Sequence, residues 1–215
     1  FDDRKTAKLL ALSIKTGEVK WSTPRAVKIS WASPVLIDNG AKKEIVIAAD
    51  PIVASYDPDT GKENWKFDCI TGEVGPSVAY TQGIVFAVNE YSILTAIQTG
   101  DNPQILWEND EYLSDVPSPV AIDNYLFIAT SWGALICYEA KTGAMFWEAE
   151  FENGIYSSPI IADGKIYLVD REGITHITQV SNEYKPIGEF PLGEKSDCTP
   201  AFADGKIYIR GDVNL

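Results

Sequence analysis

Ser55-Tyr56-Asp57-Pro58-Asp59-Thr60-Gly61-Lys62-Glu63-Asn64-Trp65 decides the reading of this chain, because the phrase recurs. It runs from Ala11 to Trp21 as Ala-Leu-Ser-Ile-Lys-Thr-Gly-Glu-Val-Lys-Trp, and from Cys137 to Trp147 as Cys-Tyr-Glu-Ala-Lys-Thr-Gly-Ala-Met-Phe-Trp. A looser copy with one extra residue spans Ala96 to Trp107. Trp21, Trp65, Trp107 and Trp147 are 44, 42 and 40 residues apart. A repeat of about 40–45 residues made of strand-like segments is the mark of a propeller blade.

Two further markers keep the same period. Pro34, Pro76, Pro119, Pro159 and Pro200 follow one another at intervals of 42, 43, 40 and 41 residues. A few residues after each proline comes a turn signal: Asp38-Asn39-Gly40, Thr81-Gln82-Gly83, Asp123-Asn124, Asp163-Gly164 and Asp204-Gly205. Each period parses into four short strands, A to D. From Ser158, strand A covers 158–162, Asp163-Gly164 makes a two-residue hairpin in which glycine tolerates positive φ, and strand B covers 165–170. Arg171-Glu172-Gly173 turns the chain into strand C over 174–180, and strand D carries the tryptophan in the better copies. The B strands are near-continuous apolar runs, as in Ile84-Val-Phe-Ala-Val, which fits strands covered on both faces. No segment shows a helical period.

The expected fold is therefore all-β: a propeller of four-stranded antiparallel blades, one domain over 1–215. Its parts are a half blade at 1–21, blades at 33–65, 75–107, 118–147 and 158–190, and a half blade at 199–215, about five blades in all. In 158–190, Phe190 stands where the tryptophan is expected. Two counts are open: a five-bladed ring closed by the two halves, or, as favoured here, part of a seven- or eight-bladed ring. A single blade leaves faces and edges uncovered, and stacking hides the faces. Trp21, Trp65, Trp107 and Trp147 are expected to lie flat between neighbouring blades over the glycine turns, with Gly17, Gly61 and Gly143 allowing close approach.

The chain has 215 residues, 45% hydrophobic, enough for one large core or two small ones and too many apolar groups for disorder. No apolar run reaches the length of a membrane-spanning helix, so no direct membrane insertion is expected. Thirty-one acidic against 18 basic residues give a net charge of −13, with no basic cluster. Such a field repels nucleic acid and anionic membrane. Its plain meaning is solubility; its functional meaning is a preference for cationic or neutral partners. Cys69, Cys137 and Cys198 are odd in number and contain no C-x-x-C pair, which argues against structural zinc. Cys137 fills the small apolar slot of the repeat, and a Cys69–Cys198 bridge stays open. The chain begins Phe1-Asp2-Asp3, as a mature or trimmed product would.

The pattern Ala-x-Asp-x-x-x-Gly-Lys-x-x-Trp resembles the tryptophan-docking motif of the PQQ-like β-propeller repeat family (PQQ is pyrroloquinoline quinone). The 55–65 copy matches at Asp57, Gly61, Lys62 and Trp65; the copies ending at Trp21 and Trp147 carry Ser13 and Glu139 in the aspartate position. The resemblance implies one of two classes. One is a non-enzymatic binding or scaffold propeller, such as the outer-membrane assembly lipoprotein, with a protein partner and a periplasmic or extracellular location. The other is the propeller of a quinoprotein dehydrogenase, holding PQQ and Ca²⁺ on its axis. The first is favoured. The chain has no adjacent cysteines and no dense carboxylate constellation of the kind Ca²⁺ needs. Its single histidine, His176, sits in a strand and is expected to be structural. Ser157-Ser158 lacks the Gly-x-Ser-x-Gly frame of a nucleophile elbow, and the glycines are turn residues rather than a phosphate loop. No catalytic, cofactor-binding or metal-binding residue is expected, PQQ and Ca²⁺ entering only under the alternative.

Trp31 and Trp132 fall outside the docking period. Because strands alternate in direction, D–A connections and B–C turns emerge on one face. That face is expected to carry Trp31, Tyr91, Tyr112, Trp132, Tyr156, Asp170, Arg171, Lys195 and Arg210. Aromatic and charged loop residues make either a recognition surface or a cover for the ends of the core.

Overall fold

The computed structural model describes residues 5–215; the first four residues of the expected half blade 1–21 lie outside the described residues. Among the described residues every regular element is a strand. β1 (Lys8–Leu12) and β2 (Val19–Pro24) form a two-stranded sheet. Four four-stranded antiparallel meanders follow. The first is β3 (Val35–Asp38), β4 (Lys43–Ala49), β5 (Ile52–Tyr56) and β6 (Glu63–Asp68). The second is β7 (Ala79–Thr81), β8 (Ile84–Val88), β9 (Leu94–Gln98) and β10 (Gln104–Asn109). The third is β11 (Val120–Ile122), β12 (Tyr125–Ala129), β13 (Ala134–Glu139) and β14 (Met145–Glu150). The fourth is β15 (Ile160–Ala162), β16 (Lys165–Val169), β17 (Ile174–Gln179) and β18 (Pro186–Pro191). β19 (Ala201–Ala203) and β20 (Lys206–Tyr208) form a second two-stranded sheet. The chain divides into two compact units, Phe1–Glu111 and Tyr112–Leu215.

Turn chemistry sets this geometry. At Gln82-Gly83, Asp163-Gly164 and Asp204-Gly205 both central residues have positive φ, the backbone that matches strand twist in a two-residue hairpin. The C–D turns repeat a second design. Gly17, Gly61 and Gly143 have φ of 73°, 72° and 73°, and their amides donate to the carbonyls of Ser13, Asp57 and Glu139. In the second, Asp57 Oδ1 also accepts from the Asp59 and Thr60 amides and the Thr60 hydroxyl. The Thr60 hydroxyl, then its amide, hold the Asp57 carboxyl below its usual value. Ser13 and Glu139 close the same turn in their own way: Ser13 Oγ accepts from the Thr16 amide at 3.2 Å, and the Thr142 hydroxyl donates to Glu139. The variation at the aspartate position therefore leaves the turn intact.

Past each of these turns the outer strand pair carries a bulge in one place. Trp21 faces Ala11, Trp65 faces Ser55, Trp107 faces Ala96 and Trp147 faces Cys137, with the register slipping one step nearer the turn. In the fourth meander the same place, opposite Ile177 and next to the slip, holds Gly188. This corrects the sequence reading: Phe190 lies two residues beyond the tryptophan position. Its ring folds back over the glycine, ring carbons standing 3.3 and 3.4 Å from where a Gly188 Cβ would be.

In the first unit, the Trp21 indole N–H donates to the Pro58 carbonyl at 3.0 Å, and the ring covers Gly61 so closely that a Cβ there would fall 2.4 Å from it. Trp65 is buried in a cluster with Val53, Val74, Val85 and Ile97, but its N–H turns back to Glu44 Oε2 of its own sheet at 2.9 Å. Glu44, fully buried, is also met by the Ser55 hydroxyl at 2.9 Å and the Lys42 ammonium at 2.8 Å. The turn that Trp65 would have covered, near Gly100, is the one lengthened by a residue, and a Cβ on Gly100 would meet nothing within 4 Å. Trp107 packs on Phe86 with ring centroids 5.9 Å apart. In the second unit, Trp147 joins Phe127, Leu135, Ile166 and Leu168 in the core, donates to the Ser181 carbonyl at 2.9 Å and meets the Tyr184 ring at 5.2 Å. Cys137 is buried beside it, as expected, and burial pushes its thiol up to about 12. All three cysteines are free, so the Cys69–Cys198 bridge left open by the sequence is not formed.

Candidate recognition face

Within each unit the D–A connections knit to the B–C turns through hydrogen bonds from backbone amides. In the first, Lys28 N donates to Asp50 O at 2.8 Å, Gly72 N to Asp50 Oδ2 at 2.8 Å, and Thr71 N to Ser92 Oγ at 2.9 Å. In the second, Ile155 N donates to Ser131 O at 3.2 Å, Arg171 N to Gly154 O at 2.9 Å, and Asp212 N to Lys195 O at 3.0 Å. Both segment types thus share one face in each unit, as strand alternation requires.

On that face of the first unit, Trp31 is 59% exposed and tied by its amide to Val74 O at 2.9 Å. Tyr91 is 91% exposed and sits in the β8–β9 turn at φ 58°, a left-handed backbone that costs a tyrosine about 1–2 kcal/mol. In the second unit, Trp132 is 54% exposed in the β12–β13 turn, and its ring lies 6.0 Å from that of Tyr112. Tyr112 also has positive φ, 52°, and its hydroxyl donates to Glu148. Gly154 lies between this turn and the next: a Cβ on it would fall 2.5 Å from Ser131 O and 3.5 Å from Arg171 Cδ. Arg171 stacks its guanidinium 4.1 Å from the Tyr156 ring centroid and forks onto Asp197 at 2.8 Å. Asp197, first, and the other nearby acids hold that guanidinium's proton more firmly. Lys195 pairs with Glu172 at 2.8 Å, and the Arg210 carbonyl accepts from Ser196 Oγ at 2.8 Å.

The structure thus joins Tyr112 to Trp132 and Tyr156 to Arg171, with Gly154 between the two sets, and places Trp31 and Tyr91 on the other unit. Asp170 it assigns elsewhere. That carboxylate is 1% exposed and faces inward: Oδ1 accepts from the Glu172 and Ile174 amides, and Oδ2 from Asn153 Nδ2 at 2.9 Å. Burial opposes its charge, but the bonds from Asn153, Ile174 and His176 outweigh burial and hold the carboxyl below its usual value. His176 lies between this group and Glu189, 3.1 and 3.2 Å from their oxygens, and packs on Phe151 at 4.3 Å. Asp170 and His176 brace the turn beneath Arg171 and present nothing outward. The residues that sequence reasoning missed are Asp197, which no local pattern marks, and Glu148, whose signal is the alternation Trp147-Glu148-Ala149-Glu150-Phe151-Glu152.

Among the described residues no three His, Cys, Asp or Glu side chains come together in a way that could hold a metal ion. No helix of the described residues is long and apolar enough to cross a membrane.

A family model described as outer membrane protein assembly factor BamB matches residues 49–110 and 101–183, more than half of the chain. The crystal structure of BamB from Moraxella catarrhalis aligns with a TM-score of 0.76 at 15% identity, over 96% of this chain and 65% of that one. The crystal structure of Saccharomyces cerevisiae Sqt1 aligns with a TM-score of 0.68 at 14% identity, over 95% of this chain and 63% of that one. The chain therefore spans less than two thirds of either structure's length. At these identities the likeness shows the β-propeller fold alone. No curated protein sequence matches.

Proposed function

Because the chain belongs to the family of outer membrane protein assembly factor BamB, we propose that it is a non-catalytic scaffold propeller that docks a protein partner on the face that D–A connections and B–C turns make within a unit. One observation carries the reading: that face exposes Trp31 and Tyr91 in the first unit and Trp132 and Tyr156 in the second, on turns held by hydrogen bonds to the connections beside them. Exposed aromatic rings on a rigid frame are the anchors that interfaces use, since they bury much area at little entropic cost. Arg171 and Arg210 supply polar contacts at the rim, and Asp170 acts by holding the Arg171 turn. Membership in a family of outer membrane protein assembly factors supports an extracytoplasmic location and a protein rather than a small molecule as partner.

A photo-crosslinking amino acid at Trp31, Tyr91 or Trp132, compared with one at the exposed outer-strand positions Lys66 and Ile187, tests this in the native host. Adducts to one protein from the loop positions and none from the outer strands are expected; adducts from the outer strands alone overturn the reading. The dehydrogenase alternative is checked on the same protein by titrating quinone with Ca²⁺ and following absorbance and dye-linked alcohol or sugar oxidation. Saturable quinone binding with turnover would overturn the non-catalytic part.

A further inference from the structure

Strand β14 and the residues after it alternate Trp147, Ala149 and Phe151 with Glu148, Glu150 and Glu152. Over β14 the period of two sends Trp147 and Ala149 into the core, with Phe151 packed against it, and Glu148 and Glu150 to the other side; Glu152 follows in the bend past the strand, and all three glutamates are exposed. Several other exposed acids of this unit are paired: Asp163 with Lys165, Glu172 with Lys195, Glu183 with Lys185 and Asp197 with Arg171. Among the described residues no base pairs with Glu148, Glu150 or Glu152. An aromatic pair, Trp132 exposed and Tyr112 half-buried, stands against this row. Glu148 accepts from the Tyr112 hydroxyl, and Tyr112 packs on Trp132. The Trp132 turn rests on the strand end: Phe151 N donates to Gly133 O at 2.8 Å, and a Gly133 Cβ would fall 2.7 Å from the Phe151 and Asn153 carbonyls. Glu152 sits in the chain between the two residues whose carbonyls crowd Gly133, and Glu150 faces Ala134 across the strand pair.

We propose that this surface seats an extended basic segment of a partner protein, an arginine or lysine lying on the Tyr112–Trp132 rings with its charge against Glu148, Glu150 and Glu152. The proposal rests on the docking reading above and narrows it to the partner's chemistry. Alternate residues of a strand are about 6.5–7 Å apart, so the like charges of Glu148 and Glu150, with Glu152 just past the strand end, repel one another and are relieved by cations at a similar repeat. An extended segment with basic residues at every second position supplies that repeat. Aromatic faces attract the same cations. The net charge of −13 draws basic segments in and keeps nucleic acid and anionic lipid away.

The test uses the whole chain and a fluorescently labelled peptide alternating arginine with valine, read by anisotropy at low and physiological salt. Its counterpart carries glutamate in place of arginine. The arginine peptide binds and the glutamate peptide does not. Glu148→Gln, Glu150→Gln and Glu152→Gln together weaken binding about tenfold. Trp132→Ala weakens it about threefold. A control with the same loss of charge on the A–B turns of the same unit, Asp123→Asn, Asp163→Asn and Asp204→Asn, changes it less than about twofold. Thermal melts confirm that each variant is folded. The proposal falls if the arginine peptide fails to bind, if the control weakens binding as much as the glutamate triple, or if Trp132→Ala has no effect. If loop-face crosslinks still form while the arginine peptide does not bind, the docking reading stands and the basic partner is wrong.

Discussion

The sheet edge at β2 and the one at β18 bulge at the same step and differ in what stands there. At β2 it is Trp21, roofing Gly61 and donating to the Pro58 carbonyl. At β18 it is Gly188, roofed in turn by Phe190 of its own strand. The register is the same with and without the indole. The turn and the alternating apolar residues therefore set the strand pairing, and the tryptophan acts later, between sheets. Trp65 makes the same point from the other side. It keeps its place in the register and its burial, yet its N–H turns to Glu44 where the next turn is longer. Place is fixed by the sheet; the bond is chosen by whatever the neighbouring turn offers.

The sharpest break of this comparison is a methyl group added at each glycine. At Gly61 a Cβ meets the Trp21 ring at 2.4 Å and the backbone has φ 72°, so both packing and conformation object. Gly61→Ala is expected to destabilise by about 3 kcal/mol, from overpacking plus a left-handed alanine. At Gly188 the new methyl touches only the edge of the Phe190 ring, which is half exposed and free to swing out. Gly188→Ala is expected to change stability by less than about 1 kcal/mol. Urea unfolding of the two variants side by side measures the difference. Equal losses would mean that the indole roof adds nothing that the phenyl roof lacks.

A smaller effect sharpens the contrast between Trp65 and Trp147. Replacing either with phenylalanine keeps a large apolar ring and removes the N–H. At Trp65 the lost donor leaves the fully buried Glu44 carboxylate with fewer bonds, and about 2 kcal/mol is expected. At Trp147 the carbonyl of Ser181 is partly solvated and water replaces the donor, so about 1 kcal/mol is expected. The midpoints of chemical unfolding rank the two, and the reverse order would show that the Glu44 network does not depend on the indole.

Much of this was legible in the sequence because it is local. The turns announce themselves through Asp163-Gly164 and the Thr-Gly pairs, and strands B and C through their apolar runs. The four repeat tryptophans do share one register position. What a period cannot report is where a side chain's hydrogen bond goes. That is why the inward turn of Trp65, the burial of Asp170 and the substitution of Gly188 for the fifth tryptophan came only from the structure. Phe190 misled because aromatic identity was weighed above the step of the bulge, and two residues along a strand lie on the same side. The recognition face was half legible: loop aromatics can be counted, but the pairing of Arg171 with Asp197 joins residues 26 apart in sequence.

The least drastic test concerns the brace beneath the two faces of the β16–β17 turn. Asp170 holds the Glu172 and Ile174 amides and Asn153, and its carboxyl lies below the usual value of 3.8. A carboxyl with a depressed folded value stabilises the fold fully above the unfolded value and loses that contribution as pH falls through the folded one. Stability should therefore hold steady from neutral pH down to the ordinary aspartate range and fall below it. Asp170→Asn keeps the shape and removes the charge. It should lower stability at pH 7 by about 1 kcal/mol and flatten the acid limb, because the variant has no proton to take up there. The same variant should loosen Arg171 from Tyr156, read as faster amide exchange at Arg171, Glu172 and Gly173, while the Trp21–Gly61 end of the chain is untouched. If the acid limb stays as steep in Asp170→Asn as in the parent, another carboxylate carries it, and the turn under Arg171 is held by its backbone bonds, Gly173 N to Asp170 O and Arg171 N to Gly154 O among them.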